Sequence, residues 1–242
     1  EFRHSRAAVL GPDLALRRSI VAAVLARRSV RAAVALDVRD GKKSRREALL
    51  IARRYALEIA ADYSPRAVAV MWNPFTWLWN RLYDGVEVIH GERLELAAGG
   101  AQLVYVPSHR SHMDYLLLSY VIYARGFAVP HTAAGINLNL PLIGRVLRKC
   151  GAFYLRRSFK GHPLYPVVFM SYLGVMMRRG HPIEYFIEGG RSRTGRLLKP
   201  KTGMLSMTVR SFLQDSSRPV VFVPVYFGYE KLVEADAYVG EL

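Results

Sequence analysis

From residue 100 onward the chain repeats one rhythm: a short apolar run rich in β-branched and aromatic residues, a polar break, then a stretch of helical period. The runs are Leu103–Val106, Phe127–Pro130, Ala152–Leu155, Ile183–Ile187 and Val220–Phe227. The spacing predicts helices between them over Ser111–Ala124, Leu142–Lys149, Tyr165–Arg179 and Ser206–Gln214. In the third of these, Phe169, Tyr172, Leu173 and Met176 fall at i, i+3, i+4 and i+7, one face of a helix. Strands alternating with helices predict an α/β fold, a largely parallel or mixed sheet flanked by helices.

The part before this rhythm is different. Residues 1–66 are Ala- and Arg-rich and nearly free of Gly and Pro after Pro12, which predicts a helical, basic N-terminal region. Ser44-Arg45-Arg46-Glu47 is a capping box that opens a helix to about Ala61, with Ala48, Ile51, Ala52, Tyr55 and Ile59 on one face. Arg54 stands one turn before Glu58, an expected ion pair. Upstream, Arg17, Arg18, Arg27, Arg28 and Arg31 leave no clean apolar stripe, so two short helices are expected there. Residues 67–98 form a linker holding all three tryptophans, Trp72, Trp77 and Trp79. It either buries its aromatics against the main body or lies at a membrane interface, where Trp and Tyr favour the headgroup level. The catalytic domain is expected over residues 99–242.

A hydrophobic share of 51% excludes a disordered chain. The lone cysteine, Cys150, excludes a disulfide framework and fits a reduced compartment. Net charge is +16, from 35 Lys and Arg against 19 Asp and Glu. Nucleic acid, an anionic membrane, a phosphorylated substrate or an acidic carrier protein would each suit it. The longest uncharged stretches contain Pro and fall short of the roughly 20 apolar residues that cross a bilayer.

Ligands of open α/β sheets collect where strands end. After the first run, Ser108-His109-Arg110-Ser111-His112-Met113-Asp114 sets a histidine five positions before an aspartate. A strand, turn and helix start would let Asp114 fix the His109 tautomer and leave its other nitrogen as a general base. Arg156 and Arg157 follow the third run, and Glu188-Gly189-Gly190-Arg191-Ser192-Arg193-Thr194-Gly195-Arg196 follows the fourth. Adjacent glycines permit close backbone approach, and the arginines offer forked donors to phosphate. Glu188 either orients a guanidinium or accepts a substrate hydroxyl. Gly190 and Gly195 have P-loop separation, but Arg196-Leu197 replaces the Lys-Ser/Thr that a P-loop needs. No Gly-x-Ser-x-Gly elbow exists, so an external hydroxyl must be the nucleophile. His109 and His112 lack a third ligand at helical spacing, and no metal is expected.

Four blocks together resemble the glycerolipid acyltransferases: His109 to Asp114, Gly151 to Arg157, Phe186 to Ser192, and Val223-Pro224-Val225, in the family's order. The wording of His112 to Tyr115, Ala134 to Asn137 and Arg193 to Arg196 resembles the members that acylate glycerol 3-phosphate more than those that acylate lysophosphatidate. The resemblance implies His109 as base and Asp114 as its partner. It further implies Arg157, Glu188, Gly189 and Ser192 on glycerol 3-phosphate, with Arg191 and Arg193 added, and Pro224 in the wall of the acyl pocket. It implies acyl-CoA or acyl-acyl carrier protein as co-substrate with no cofactor, and sn-1 acylation as the first step of phospholipid synthesis. Dihydroxyacetone phosphate or a lysophospholipid is the alternative acceptor. A basic nucleic-acid-binding module would leave the His–Asp pair unexplained. The expected place is the cytoplasmic face of a bacterial inner membrane, peripheral or monotopic, on anionic lipid. Family members are several times longer, so a central, C-terminally truncated slice is expected.

Overall fold

The computed structural model describes residues 17–41, 43–214 and 218–230. The first 16 residues of the expected helical region and the final Glu241-Leu242 lie outside the described residues. Among the described residues two helices come first, α1 (Arg17–Ala26) and α2 (Arg28–Arg39), parted at Arg27, whose backbone is extended at φ −62° and ψ 136°. Helix α3 (Arg45–Ile59) starts at the expected capping box. Glu47 N donates to Ser44 Oγ at 3.3 Å, and Ser44 N donates to Glu47 Oε2 at 2.8 Å. Its buried stripe is Ala48, Ala52, Ala56 and Ile59, and the three alanines let a neighbouring helix come close. Glu58 pairs with Arg156 rather than with Arg54, because the packed helix aims it at the sheet instead of along its own surface.

The Trp-rich stretch is helix α4 (Pro65–Leu82), with Ser64 as cap, Pro65 in the first turn and Pro74 inside. Two of its tryptophans face inward. Trp79 is buried, and Trp72 stacks on Tyr120 with centroids 4.6 Å apart. Trp77 is 69% exposed. A short helix α5 (Glu92–Ala97), which no pattern announced, leads into the sheet.

The α/β part then runs β1 (Gln102–Pro107), α6 (Asp114–Ala124), β2 (His131–Gly135), α7 (Ile143–Lys149), β3 (Phe153–Leu155), α8 (Leu164–Arg178), β4 (Ile183–Glu184), α9 (Gly203–Gln214) and β5 (Val220–Val225). The five strands make one sheet in the order β3-β2-β4-β1-β5, every pairing parallel. Two strands depart from expectation, β2 most of all. The ladder starts at His131, whose N–H donates to Pro182 O at 2.7 Å, and not at Phe127. Pro130 has no N–H to give, and the small His-Thr-Ala-Ala-Gly strand hides its nature behind low hydrophobicity. β4 is shorter than its apolar run, because the chain turns away after Glu184.

Strand pleat divides the core in two. Val104, Phe153 and Ile183 face α8 and the N-terminal helices, in one cluster with Val24, Ala52, Phe169 and Tyr172. Leu103 and Tyr105 point to the other face and meet Leu118, Ile122 and Phe227. Helices α1–α3 and the sheet therefore share one hydrophobic interior. With all strands parallel, the segments after β1, β3, β4 and β5 emerge along the same edge.

Candidate active site

His109 lies two residues beyond β1, and Asp114 opens α6. His109 Nδ1 and Asp114 Oδ2 are 2.9 Å apart. The same oxygen accepts the backbone N–H of Arg110 at 2.6 Å and of Ser111 at 2.9 Å. Asp114 is fully buried, and these donors compensate its charge. A carboxylate receiving backbone N–H groups is an acceptor, so Nδ1 carries the proton and Nε2 keeps its lone pair. The His109 ring lies against Phe186 at 3.9 Å and 28°, an apolar wall on one side.

The segment after β4 is pinned to the same place. His109 N donates to Glu188 Oε1 at 2.9 Å, and Leu198 N donates to Glu188 Oε2 at 2.7 Å. Ser192 N donates to His109 O at 2.7 Å, while the Ser192 hydroxyl reaches Arg196 O. Lys201 N closes the loop on Ile187 O at 2.7 Å. Both Glu188 oxygens thus hold backbone, and Ser192 staples the arginine loop. Gly189 sits at φ +60°, where its lack of Cβ spares a clash with Lys201 Cδ; a Cβ at Gly190 would meet nothing within 4 Å.

The other expected residues are placed less centrally. Arg156 is engaged structurally: it forms a two-pronged pair with Glu58, at 2.7 Å on each prong, and lies over the Tyr55 and Tyr165 rings. Arg157, its neighbour at the end of β3, is exposed. β3 stands two positions from β4 and three from β1 in the sheet, roughly 10–14 Å away at ordinary strand spacing. Arg191 is half-buried and Arg193 exposed, both in the loop above the dyad. Pro224 pairs in register with Val106 on the edge strand β5, and its side chain is exposed. An apolar groove between α4 and α6 is lined by Val68, Trp72, Tyr123, Val129 and Cys150. Val129 and Cys150 precede β2 and β3, so this groove lies at the opposite edge of the sheet from His109. Among the described residues no set of three His, Cys, Asp or Glu is arranged for a metal ion.

Two contributors escaped the sequence. Phe186 opens the third family block, but there it reads only as part of an apolar run. Tyr229, whose hydroxyl donates to Asp114 Oδ1 at 2.7 Å, is 115 residues away and carried no signal at all.

A charge-paired imidazole with a free nitrogen, next to an arginine-rich loop, can deprotonate a hydroxyl on a phosphorylated molecule. Residues 86–228 match the family model described as Acyltransferase, and the chain belongs to that family. Across its whole length it is 53% identical to the glycerol-3-phosphate acyltransferases of Pseudomonas paraeruginosa and Pseudomonas aeruginosa. It is 49% identical to that of Pseudomonas putida, again over all of this chain. The chain spans 29% of the length of each of these relatives.

Proposed function

We propose that these residues form the active site of a glycerol 3-phosphate acyltransferase, which moves a fatty acyl group from a CoA or acyl carrier protein thioester to the sn-1 hydroxyl. The observation that carries this is the His109–Asp114 contact at 2.9 Å, with the His109 backbone tied on both sides to the arginine loop. His109 Nε2 takes the hydroxyl proton as that oxygen attacks the thioester carbonyl. The C–S bond then breaks, the sulfur leaves and takes up a proton from the imidazolium, and 1-acyl-glycerol 3-phosphate results. No acyl-enzyme is needed. A positioned base contributes about 10² to 10⁴ in rate, and phosphate anchoring supplies orientation. Arg157, Arg191 and Arg193 are the candidate phosphate donors, with the open backbone at Gly189 and Gly190 beneath. Glu188 and Ser192 serve the acceptor indirectly, by shaping that loop, and Pro224 lies on the acyl side.

The test is incorporation of radiolabelled glycerol 3-phosphate into lipid by the full-length protein carrying this chain, offered each thioester in turn. His109→Ala is expected to lose at least about 10²-fold in turnover while retaining acceptor binding. Equal rates in the two proteins would remove His109 from the chemistry. Dihydroxyacetone phosphate and lysophospholipid, run as competitors, decide the acceptor.

The same edge of the sheet supports a reading of the location. Leu140 and Leu142, between the end of β2 and α7, and Ile143, which opens α7, are 51%, 75% and 57% exposed. Leu197, in the arginine loop, is 70% exposed among Arg193, Arg196 and Lys199. Apolar tips interleaved with cations suit an anionic bilayer surface. No described helix is long and apolar enough to cross a membrane. We infer docking of this edge on the cytoplasmic leaflet of the inner membrane, where both the thioester's chain and the product would be at hand.

A further inference from the structure

Asp114 divides its two oxygens between different tasks. Oδ2 receives the imidazole and two backbone N–H groups, whereas Oδ1 accepts the Tyr229 hydroxyl at 2.7 Å. We propose that Tyr229 is a positioning residue of this active site: its phenol fixes the Asp114 carboxylate so that Oδ2 stays presented to His109.

The carboxylate torsion is intrinsically soft and roughly two-fold, so pinning one oxygen still allows rocking about it. A donor on the second oxygen stops that motion and moderates the negative charge facing the ring. The phenol itself is well seated. Its ring lies 5.8 Å from Tyr83, just past α4, and 6.2 Å from Phe227. Phe227 is held in turn, its N–H donating to Ser108 Oγ at 3.4 Å and its carbonyl accepting Arg110 Nη1 at 3.1 Å. The β1–β5 register explains the arrival. Val106 pairs with Pro224 and Pro107 with Val225, so the chain leaves β5 level with the His109 turn. Nothing in this arrangement depends on which acceptor binds, but the proposal rests on His109 as the base.

Other charged groups near the pair are Glu188, bonded to the His109 backbone; Arg110, bonded to the Phe227 carbonyl; and Glu184, whose carboxyl senses the Asp114 charge. Tyr229→Phe leaves all three in place. In the full-length protein it is expected to lower kcat about 10-fold, the scale of one buried hydrogen bond to a charged group. KM for acceptor and thioester should stay unchanged. The acid limb of the pH–rate profile should move upward, because a less shared carboxylate favours the imidazolium. In an Asp114→Asn background, the same change should add almost nothing. Unchanged kcat, or an equal loss in that background, overturns the proposal. So does a loss accompanied by a lower Tm and an unmoved acid limb. A histidine ¹³C NMR titration of the free protein separates this idea from the functional reading. If wild type transfers no acyl group but the His109 titration still moves in Tyr229→Phe, only the reaction assignment has failed. If the titration is identical in both proteins, Tyr229 has no positioning role.

Discussion

At the scale of single residues, the deepest anomaly is Glu184 on the central strand β4. Burial pushes its carboxyl up to about 8 from an ordinary 4.5; the Thr132 hydroxyl, donating to Oε2 at 2.8 Å, pulls the other way, and the Asp114 charge adds to the rise. Oε1 lies buried without a hydrogen-bond partner, a position that costs a neutral carboxyl less than a charged one. Between about 4.5 and 8 the folded protein holds a proton that the unfolded chain has released. Stability from this group is therefore complete below pH 4.5 and falls as pH rises to about 8, by at most about 1.4 kcal/mol per pH unit. Urea unfolding at pH 5 and pH 8 should show that slope in wild type and a flatter one in Glu184→Gln. The two neighbouring arginines offer a contrast at the same scale. Arg156→Ala breaks a two-pronged pair and its ring contacts, and should cost about 2 kcal/mol of stability. Arg157→Ala should leave Tm unaltered and raise KM for glycerol 3-phosphate instead. Reversal of those two outcomes would exchange their roles.

Among elements, the loop between β4 and α9 decides the site, and one carboxylate shapes it. Glu188→Gln can accept only one of the two N–H groups now served, from His109 and Leu198. We expect lower kcat and a lower Tm together, with proteolytic nicking near Arg193 appearing in the variant; an unchanged cleavage pattern would count against the brace. The sequence made the strand–helix alternation, the capping box at Ser44 and the His109–Asp114 turn legible, because each is a local pattern of a few residues. Its failures are of two kinds. Glu58 turned to Arg156 rather than to Arg54, β2 began at His131 after an unproductive Phe127–Pro130 run, and Tyr229 met Asp114 from the segment beyond β5. The first and third depend on tertiary packing between distant segments, and the second on a missing proline N–H in a strand of low hydrophobicity, none of which periodicity encodes.

For the molecule as a whole, the +16 charge and the apolar tips at the carboxyl edge predict lipid binding of a particular kind. Flotation on anionic vesicles should weaken between 0.05 and 0.5 M salt, as the screening length shrinks from above 10 Å to a few ångströms. Leu142→Asp should weaken it at every salt concentration, and equal flotation on neutral vesicles would refute the docking edge. The strand order has a different consequence, one of timing. β1 lies between β4 and β5, so Val104 must wait 79 residues for Ile183 and 118 for Phe222. A ribosome delivers those partners well after β1 itself, and contacts so distant along a chain form slowly. The newborn β1 thus stays unpaired on both sides until β4 and β5 have emerged, and the brace that Glu188 and Ser192 put on the His109 backbone can close only after that delay.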